Sequence, residues 1–142
     1  MSLPSLAALP ATLKPLAERA EQNFRTAIAA LSAEQIASFD SWPDERHADF
    51  ARVTAGSDFV AEQVQRDPAF LLALAATGEL ERSLQPGEMG AQLEALLTDC
   101  ADEDELGRRL RRFRRRQQVR IIWRDLTCLL YTSDAADDLL CV

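Results

Sequence analysis

Apolar residues recur at helical spacing through most of this 142-residue sequence, and no stretch alternates for long enough to predict a strand. Between Leu13 and Leu31 the apolar positions lie three and four residues apart, which is typical of an amphipathic helix with one buried face. These positions are Leu13, Leu16, Ala20, Phe24, Ala27, Ile28 and Leu31. Because the same spacing returns in later segments, the sequence predicts an all-α fold, a compact array of several helices.

Helix start signals divide the following part of the sequence. Ser32 followed by Gln35 predicts a capping box, in which the hydroxyl and the amide each pair with a free backbone donor. Another helix is predicted to start around Pro43, because proline is tolerated in a first turn, and to turn Phe50 and Val53 inward. A short helix that ends near Asp40 and a second helix after it are therefore expected.

Three more helices are predicted after these. Ser57 starts one, Pro68 starts the next, and Gly78 ends that helix in the manner of a C-terminal glycine. A turn at residues 85–88 precedes the third. In the first of these helices Phe59, Val60 and Val64 are expected to be buried. The second includes Phe70, Leu71 and Leu74, and Leu93, Leu96 and Leu97 mark the third.

The sequence predicts one more helix, from about Asp102 to Thr127. Its first turns are acidic, and the run Asp102 to Glu105 is explained by the helix dipole in preference to metal binding. One face is expected to carry Leu106, Leu110, Phe113 and Ile121, and a packed core is expected around Ile121, Ile122, Trp123 and Leu126. Trp123 and Trp42 are predicted to be core residues.

Composition excludes several function classes. The net charge of −7 argues against a general nucleic-acid binder, and no apolar run approaches the roughly 20 residues that cross a bilayer. With no secretion signal, the expected compartment is the cytoplasm, with neither a membrane nor a nucleic acid as partner. The single histidine, His47, is expected to be solvated or hydrogen-bonded, and the sequence offers no catalytic, cofactor-binding or metal-binding residue set.

Seven arginines cluster in the last predicted helix and allow two interpretations. They could offer guanidinium groups to the phosphates of a nucleotide or nucleic acid. The favoured interpretation is that they pair with Glu103, Glu105 or carboxylates of neighbouring helices. The seven are Arg108, Arg109, Arg111, Arg112, Arg114, Arg115 and Arg116.

The segment CLLYTSDAADDLLCV, residues 128–142, differs in character from what precedes it. It looks like the translation of a sequencing adapter, so we expect residues 1–127 to be native and residues 128–142 to be a non-native tail. The alternative is a native C-terminal helix capped by Asp134.

Two segments together resemble one family. They are SDFVAEQVQRDPAFLLAL, from Ser57 to Leu74, and LRRFRRRQQVRIIWRDL, from Leu110 to Leu126. Both resemble the N-terminal region of the bifunctional glutamine synthetase adenylyltransferase/deadenylylases. The resemblance implies that residues 1–127 are the N-terminal helical scaffold of a nucleotidyltransferase-like deadenylylase domain that is truncated here.

The resemblance also implies chemistry that this chain does not itself carry. Members of the family use ATP and Mg²⁺, act on a tyrosine of glutamine synthetase, and respond to PII-type nitrogen-signal proteins. Their catalytic signature is a Gly-Lys-Leu-Gly-Gly stretch followed by an Asp-x-Asp pair on a strand, and it would lie downstream of Trp123. This signature is absent here, so no catalytic role carries over and the fragment is expected to be inactive.

Four arginines remain candidates for a role beyond packing. The resemblance suggests contact with the nucleotidyltransferase core or with an anionic ligand for Arg111, Arg115, Arg116 and Arg120. Two other function classes stay open: a free-standing helical protein-interaction module, and a small arginine-rich anion-binding regulator.

Overall fold

The structure of the chain is a computed structural model that describes the backbone of residues 9–132 and the side chains of residues 9–127. Seven helices and no strand occur within residues 9–132, so the all-α prediction is confirmed. The helices are α1 (Lys14–Ile28), α2 (Ala33–Asp40), α3 (Asp44–Gly56), α4 (Asp58–Arg66), α5 (Pro68–Thr77), α6 (Glu88–Leu97) and α7 (Glu103–Thr132). The backbone of the predicted tail is helical to Thr132, whereas residues 133–142 lie outside the described residues.

The predicted helix ends are present in the structure. The Ser32 hydroxyl accepts a hydrogen bond from the Gln35 N–H at 3.2 Å, and the Gln35 side chain accepts one from the Ser32 N–H at 3.2 Å, which completes the capping box. Ser57 caps α4 by accepting from the Val60 N–H at 3.2 Å. At the end of α5, Gly78 has a φ of 77°, a left-handed conformation that favours glycine.

An aromatic cluster forms the centre of the main core. The Phe39 ring lies 5.0 Å from that of Phe24 and 5.7 Å from that of Phe50, between centroids. Trp42 packs on Phe39 at 4.9 Å, and Trp123 approaches Phe50 at 6.3 Å from the far end of α7. Both tryptophans are buried, which confirms their prediction as core residues.

Small residues make the contact between α1 and α3. Leu16, which was predicted to lie on the buried face of α1, does not. Ala17, Ala51 and Ala55 are buried together with Leu9, whereas the Leu16 side chain is 41% exposed. The prediction for Leu16 is therefore wrong. Small side chains let two helices approach closely, so the buried stripe of α1 runs through Ala17 and leaves its larger neighbour in solvent.

The buried face of α7 also differs from the predicted one. Val119 and Trp123, one turn apart, are buried, whereas Leu110 and Ile121 are exposed, Ile121 by 45%. At about 100° per residue, Ile121 points roughly 200° away from Trp123, so both cannot face the same core. Leu110 and Ile121 were thus wrongly assigned to the packed face, and Ile122 supplies the partly buried contact beside Trp123.

His47 was predicted to be solvated or hydrogen-bonded; it is buried, so the solvated alternative is wrong. Its ring centroid lies 5.0 Å from that of Phe39 and 5.7 Å from that of Trp42. Burial lowers the pKa of His47, with the charge of Glu21 acting in the opposite direction. This imidazole is therefore part of the aromatic core.

A buried carboxylate on α3 predicts a specific dependence of stability on pH. Asp49 is buried and its Oδ1 lies 3.0 Å from the Arg52 guanidinium. Burial raises the pKa of Asp49 from 3.8 to about 6; the Arg52 charge opposes this shift, and Glu45 and Glu81 add to it. Because the pKa is higher in the folded state than in the unfolded state, this residue's contribution to stability is lost as the pH rises from about 4 to about 6.

Replacing Asp49 with asparagine should remove that loss. The unfolding free energy of Asp49→Asn, taken relative to that of the unchanged chain, is expected to be roughly 2–3 kcal/mol higher at pH 7.5 than at pH 4. One pKa unit corresponds to about 1.4 kcal/mol. Urea denaturation at both pH values measures the difference. The control is the exposed Gln65→Ala, which removes no titratable group and should change the unfolding free energy by the same amount at both pH values. An Asp49→Asn effect that does not change with pH would contradict the prediction.

Candidate functional site at an arginine-lined groove

A groove of about 310 Å³ lies between α4, the start of α5 and the middle of α7. We call it the arginine groove, because four of its lining residues are arginines. It is lined by Gln63, Arg66, Asp67, Phe70, Arg112, Arg115, Arg116 and Val119. Arg112, Arg115 and Arg116 come from adjacent turns of α7, where residues three and four apart share a face.

Arg116 is fixed in one wall of the groove. Its Nη2 and Nε lie 3.1 and 3.3 Å from Oδ2 of Asp67, and its guanidinium carbon lies 4.7 Å from the centre of the Phe70 ring. An ion pair and a cation–π contact on the same guanidinium restrict its orientation. This residue therefore contributes a fixed positive charge as well as a contact between α7 and α5.

The other arginines of the groove are held less tightly. Nε of Arg112 lies 3.7 Å from Oδ2 of Asp67, and its side chain is 57% exposed. Arg66 pairs at 2.8 Å with Glu62 on the surface of α4, and Arg115 is exposed. Exposed pairs of this kind contribute less than about 1 kcal/mol each. These three guanidiniums can therefore rearrange at little cost.

The positive end of α5 adds to the charge of the groove. Asp67 is the N-cap residue of α5, but its side chain makes no capping hydrogen bond, since its carboxylate is turned towards Arg116 and Arg112. Phe70, in the first turn of the same helix, also lines the groove. Within this lining, four guanidiniums and a helix N-terminus face one carboxylate.

The four arginines singled out from the sequence have different surroundings. Arg115 and Arg116 line the groove, whereas Arg111 lies outside it with its guanidinium over Gly107. Arg120 is only 4% exposed, and its Nε donates to Oε1 of Gln117 at 3.1 Å. Burial lowers the pKa of Arg120, and the charge of Arg124 adds to this effect.

Local ion pairing of the arginine run is confirmed at three positions. Arg109 pairs with Glu105, and Arg112 and Arg116 pair with Asp67. The sequence interpretation missed Asp67 and the other groove residues of α4 and α5. The available signal was the spacing of Arg112 and Arg116, which places both on one face of α7.

The acidic start of α7 forms a cap. Oδ1 of Asp102 accepts from the Glu105 N–H at 2.8 Å, and the Glu105 carboxylate accepts from the Ala101 N–H at 3.0 Å. The backbone bond from Ala101 and the Arg109 side chain lower the pKa of Glu105. Hydrogen bonding to the helix start therefore accounts for Asp102 and Glu105, in line with the structural interpretation of this run.

Two kinds of feature are absent from the part of the chain that the structure describes. Among the side chains of residues 9–127, no three His, Cys, Asp or Glu form a group that could hold a metal ion. Among the helices of the same residues, none is both long enough and apolar enough to cross a membrane.

Comparison with known proteins gives one consistent result. The profile of the glutamate-ammonia ligase adenylyltransferase family matches residues 47–142. A bifunctional glutamine synthetase adenylyltransferase/adenylyl-removing enzyme of Pseudomonas aeruginosa is 63% identical over 139 residues, and a protein of the same description from Pseudomonas syringae pv. tomato is 60% identical over 127 residues. One from Pseudomonas putida is 43% identical over 139 residues.

These relatives are much longer than this chain. The matches cover 98%, 89% and 98% of this chain, but only 14%, 13% and 14% of the three relatives. No solved structure matches the chain. The described residues thus correspond to a small part of a large protein.

Proposed function

Since this chain belongs to the glutamate-ammonia ligase adenylyltransferase family, we propose that it is the N-terminal helical part of an enzyme that adds AMP to, and removes AMP from, a tyrosine of glutamine synthetase. The observation that carries the proposal is the 63% identity to the Pseudomonas aeruginosa enzyme over 98% of this chain. Both activities belong to the whole enzyme, and this chain contributes a folded scaffold to it.

The geometry supports a scaffold role. Trp123 and Val119 hold α7 against the core built by α1 to α5, and α7 is the helix that continues towards the C-terminus. Among the side chains that the structure describes, no three His, Cys, Asp or Glu form a group that could hold a metal ion. On the family resemblance, we place the catalytic groups of the enzyme downstream of Trp123.

The wider biochemistry of the proposed enzyme follows from the family resemblance. We assign it ATP and Mg²⁺ for AMP transfer, a PII-type nitrogen-signal protein as regulator, and the cytoplasm as compartment. No residue of this chain is assigned to ATP, Mg²⁺ or the regulator.

A chimera tests the proposal. Residues 9–127 of this chain would replace the aligned residues of the Pseudomonas aeruginosa enzyme, and AMP addition and removal would be measured on purified glutamine synthetase. We expect both activities to be retained, because this chain is 63% identical to that enzyme over 139 residues. The isolated chain, assayed beside it, should show neither activity.

The control separates a folding failure from a wrong assignment. A chimera that also carries Trp123→Ala should lose soluble yield or both activities, whereas one with the exposed Leu16→Ala should behave like the simple chimera. A well-folded simple chimera that lacks both activities would contradict the proposed function.

A further inference from the structure

We propose that the arginine groove binds the phosphate group of a small anion, either inorganic phosphate or a phosphorylated small molecule. Neither the family match nor the relatives' names assign a ligand to this part of the chain. The inference goes beyond the scaffold role and rests on the groove alone.

The groove presents the side chains that recognise a phosphate. Guanidinium groups donate paired N–H bonds that match phosphate oxygens, and exposed Arg66, Arg112 and Arg115 surround the opening. Asp67 and Phe70 already orient the Arg116 guanidinium, so it places a positive charge at a fixed position in the groove. A bound phosphate would replace the weak contact between Arg112 and Asp67, which are 3.7 Å apart.

The start of α5 provides a second, independent attraction. The first N–H groups of a helix have no partner inside the helix, and they favour an anion. Pro68 lacks an N–H, but the Ala69 and Phe70 groups follow it in the first turn, and the Asp67 side chain does not cap them. Asp67 and Phe70 both line the groove, so the start of α5 lies beside the guanidiniums.

The charge of the whole chain makes the groove distinctive. With a net charge of −7, the protein as a whole repels anions. Any saturable binding of phosphate must therefore come from a local concentration of positive charge. Four arginines line the groove, and two carboxylates lie against them: Asp67 in the lining and Glu62, which pairs with Arg66.

The size of the groove favours a small ligand over a polymer. At about 310 Å³, it lies at the low end of the range of roughly 300–1,000 Å³ for small-molecule sites. A phosphate group fits among the guanidiniums, and the rest of a phosphorylated molecule would extend towards solvent. An acidic peptide is the competing ligand, and it forms one outcome of the test.

The test is calorimetric titration of the 142-residue chain with inorganic phosphate, AMP and ADP at low salt. The double variant Arg112→Gln/Arg115→Gln should weaken binding about tenfold or more, since losing a charged hydrogen-bond donor typically costs that much. The control Arg108→Gln/Arg114→Gln removes the same charge from exposed positions of α7 outside the groove, and its effect should stay within about twofold. Circular dichroism checks that each variant is helical.

A third variant changes binding in the opposite direction. Asp67→Asn removes the competing carboxylate and should tighten phosphate binding by roughly threefold. This gain is expected even if the arginine double variant fails to fold.

The possible outcomes separate the ligands and decide the proposal. Equal affinity for phosphate and AMP would identify the free oxyanion as ligand, and a preference for AMP or ADP would identify a nucleotide; both support the proposal. Equal losses in the groove variant and the control, absence of saturation, or binding of polyglutamate but not of phosphate would overturn it.

Discussion

Replacing Trp123 with alanine should lower the free energy of unfolding by about 3–5 kcal/mol. The indole is 1% exposed and packs near the Phe50 ring, so truncation would leave a cavity where α7 meets α3. The cost combines lost apolar burial with the empty space, because neighbouring helices can close only part of it. Since whole domains are stable by only about 5–15 kcal/mol, a large share of this chain's stability would be lost.

Urea denaturation followed by far-ultraviolet circular dichroism measures this effect. The matched control is Ile121→Ala on the same helix, which is 45% exposed and should cost less than about 1 kcal/mol. Trp123→Phe keeps an aromatic ring, so its loss of unfolding free energy should lie between those of Trp123→Ala and Ile121→Ala. If Trp123→Ala and Ile121→Ala had equal effects, the docking of α7 described here would be wrong.

Replacing Phe39 with alanine is the second change with a large expected effect, also about 3–5 kcal/mol. The Phe39 ring lies at the centre of the aromatic cluster and makes edge-on contacts with Phe24, Trp42 and His47 at 4.9–5.0 Å. Such pairs contribute about 0.5–1.5 kcal/mol each beyond the burial of area. One truncation therefore loosens three neighbours at once.

The single histidine offers a local measurement for the same variant. Burial lowers the pKa of His47, and removing the Phe39 ring would admit water, so this pKa should rise towards its ordinary value of 6.5. Nuclear magnetic resonance of the imidazole protons reports it directly. Phe113→Ala, a half-buried phenylalanine of α7 outside the cluster, should leave the His47 pKa unchanged. A change in the His47 pKa in Phe113→Ala but not in Phe39→Ala would contradict the packing of His47 in the aromatic cluster.

The sequence predicted those parts of the fold that depend on nearby residues. Ser32 with Gln35, Ser57, Pro68 and Gly78 act within one helical turn, so their effects can be predicted without knowledge of the tertiary contacts. Phe50 and Val53 of α3 were also predicted to face inward and are buried, as are Val60 and Val64 of α4. Phe59, predicted as buried with them, is only partly buried.

The wrong predictions arose in helices on which more than one face was apolar enough to be buried. In α1, Leu16 and Ala17 are adjacent, and only the close approach of α3 selects the alanine. Near the end of α7 the sequence is apolar almost all round, so position relative to the core decides that Trp123 is buried and Ile121 exposed. His47 was misassigned because its partner ring, Phe39, belongs to another helix.

The candidate site could be predicted only in part. The sequence identified the arginine run, and helical spacing places Arg112 and Arg116 together. Their partner Asp67 lies far earlier in the chain, and no local rule joins the two segments. The anion-binding role of the run and the non-native origin of residues 128–142 both stay predictions.

The position of Trp123 at the end of the core has a consequence for synthesis. Phe24, Phe39 and Phe50 can gather once α3 has left the ribosome, but the side chain that covers Phe50 is translated much later. Joining distant segments closes a long loop, so we expect the docking of α7 to be the late step of folding. Until then the side of Phe50 that packs against Trp123 stays uncovered.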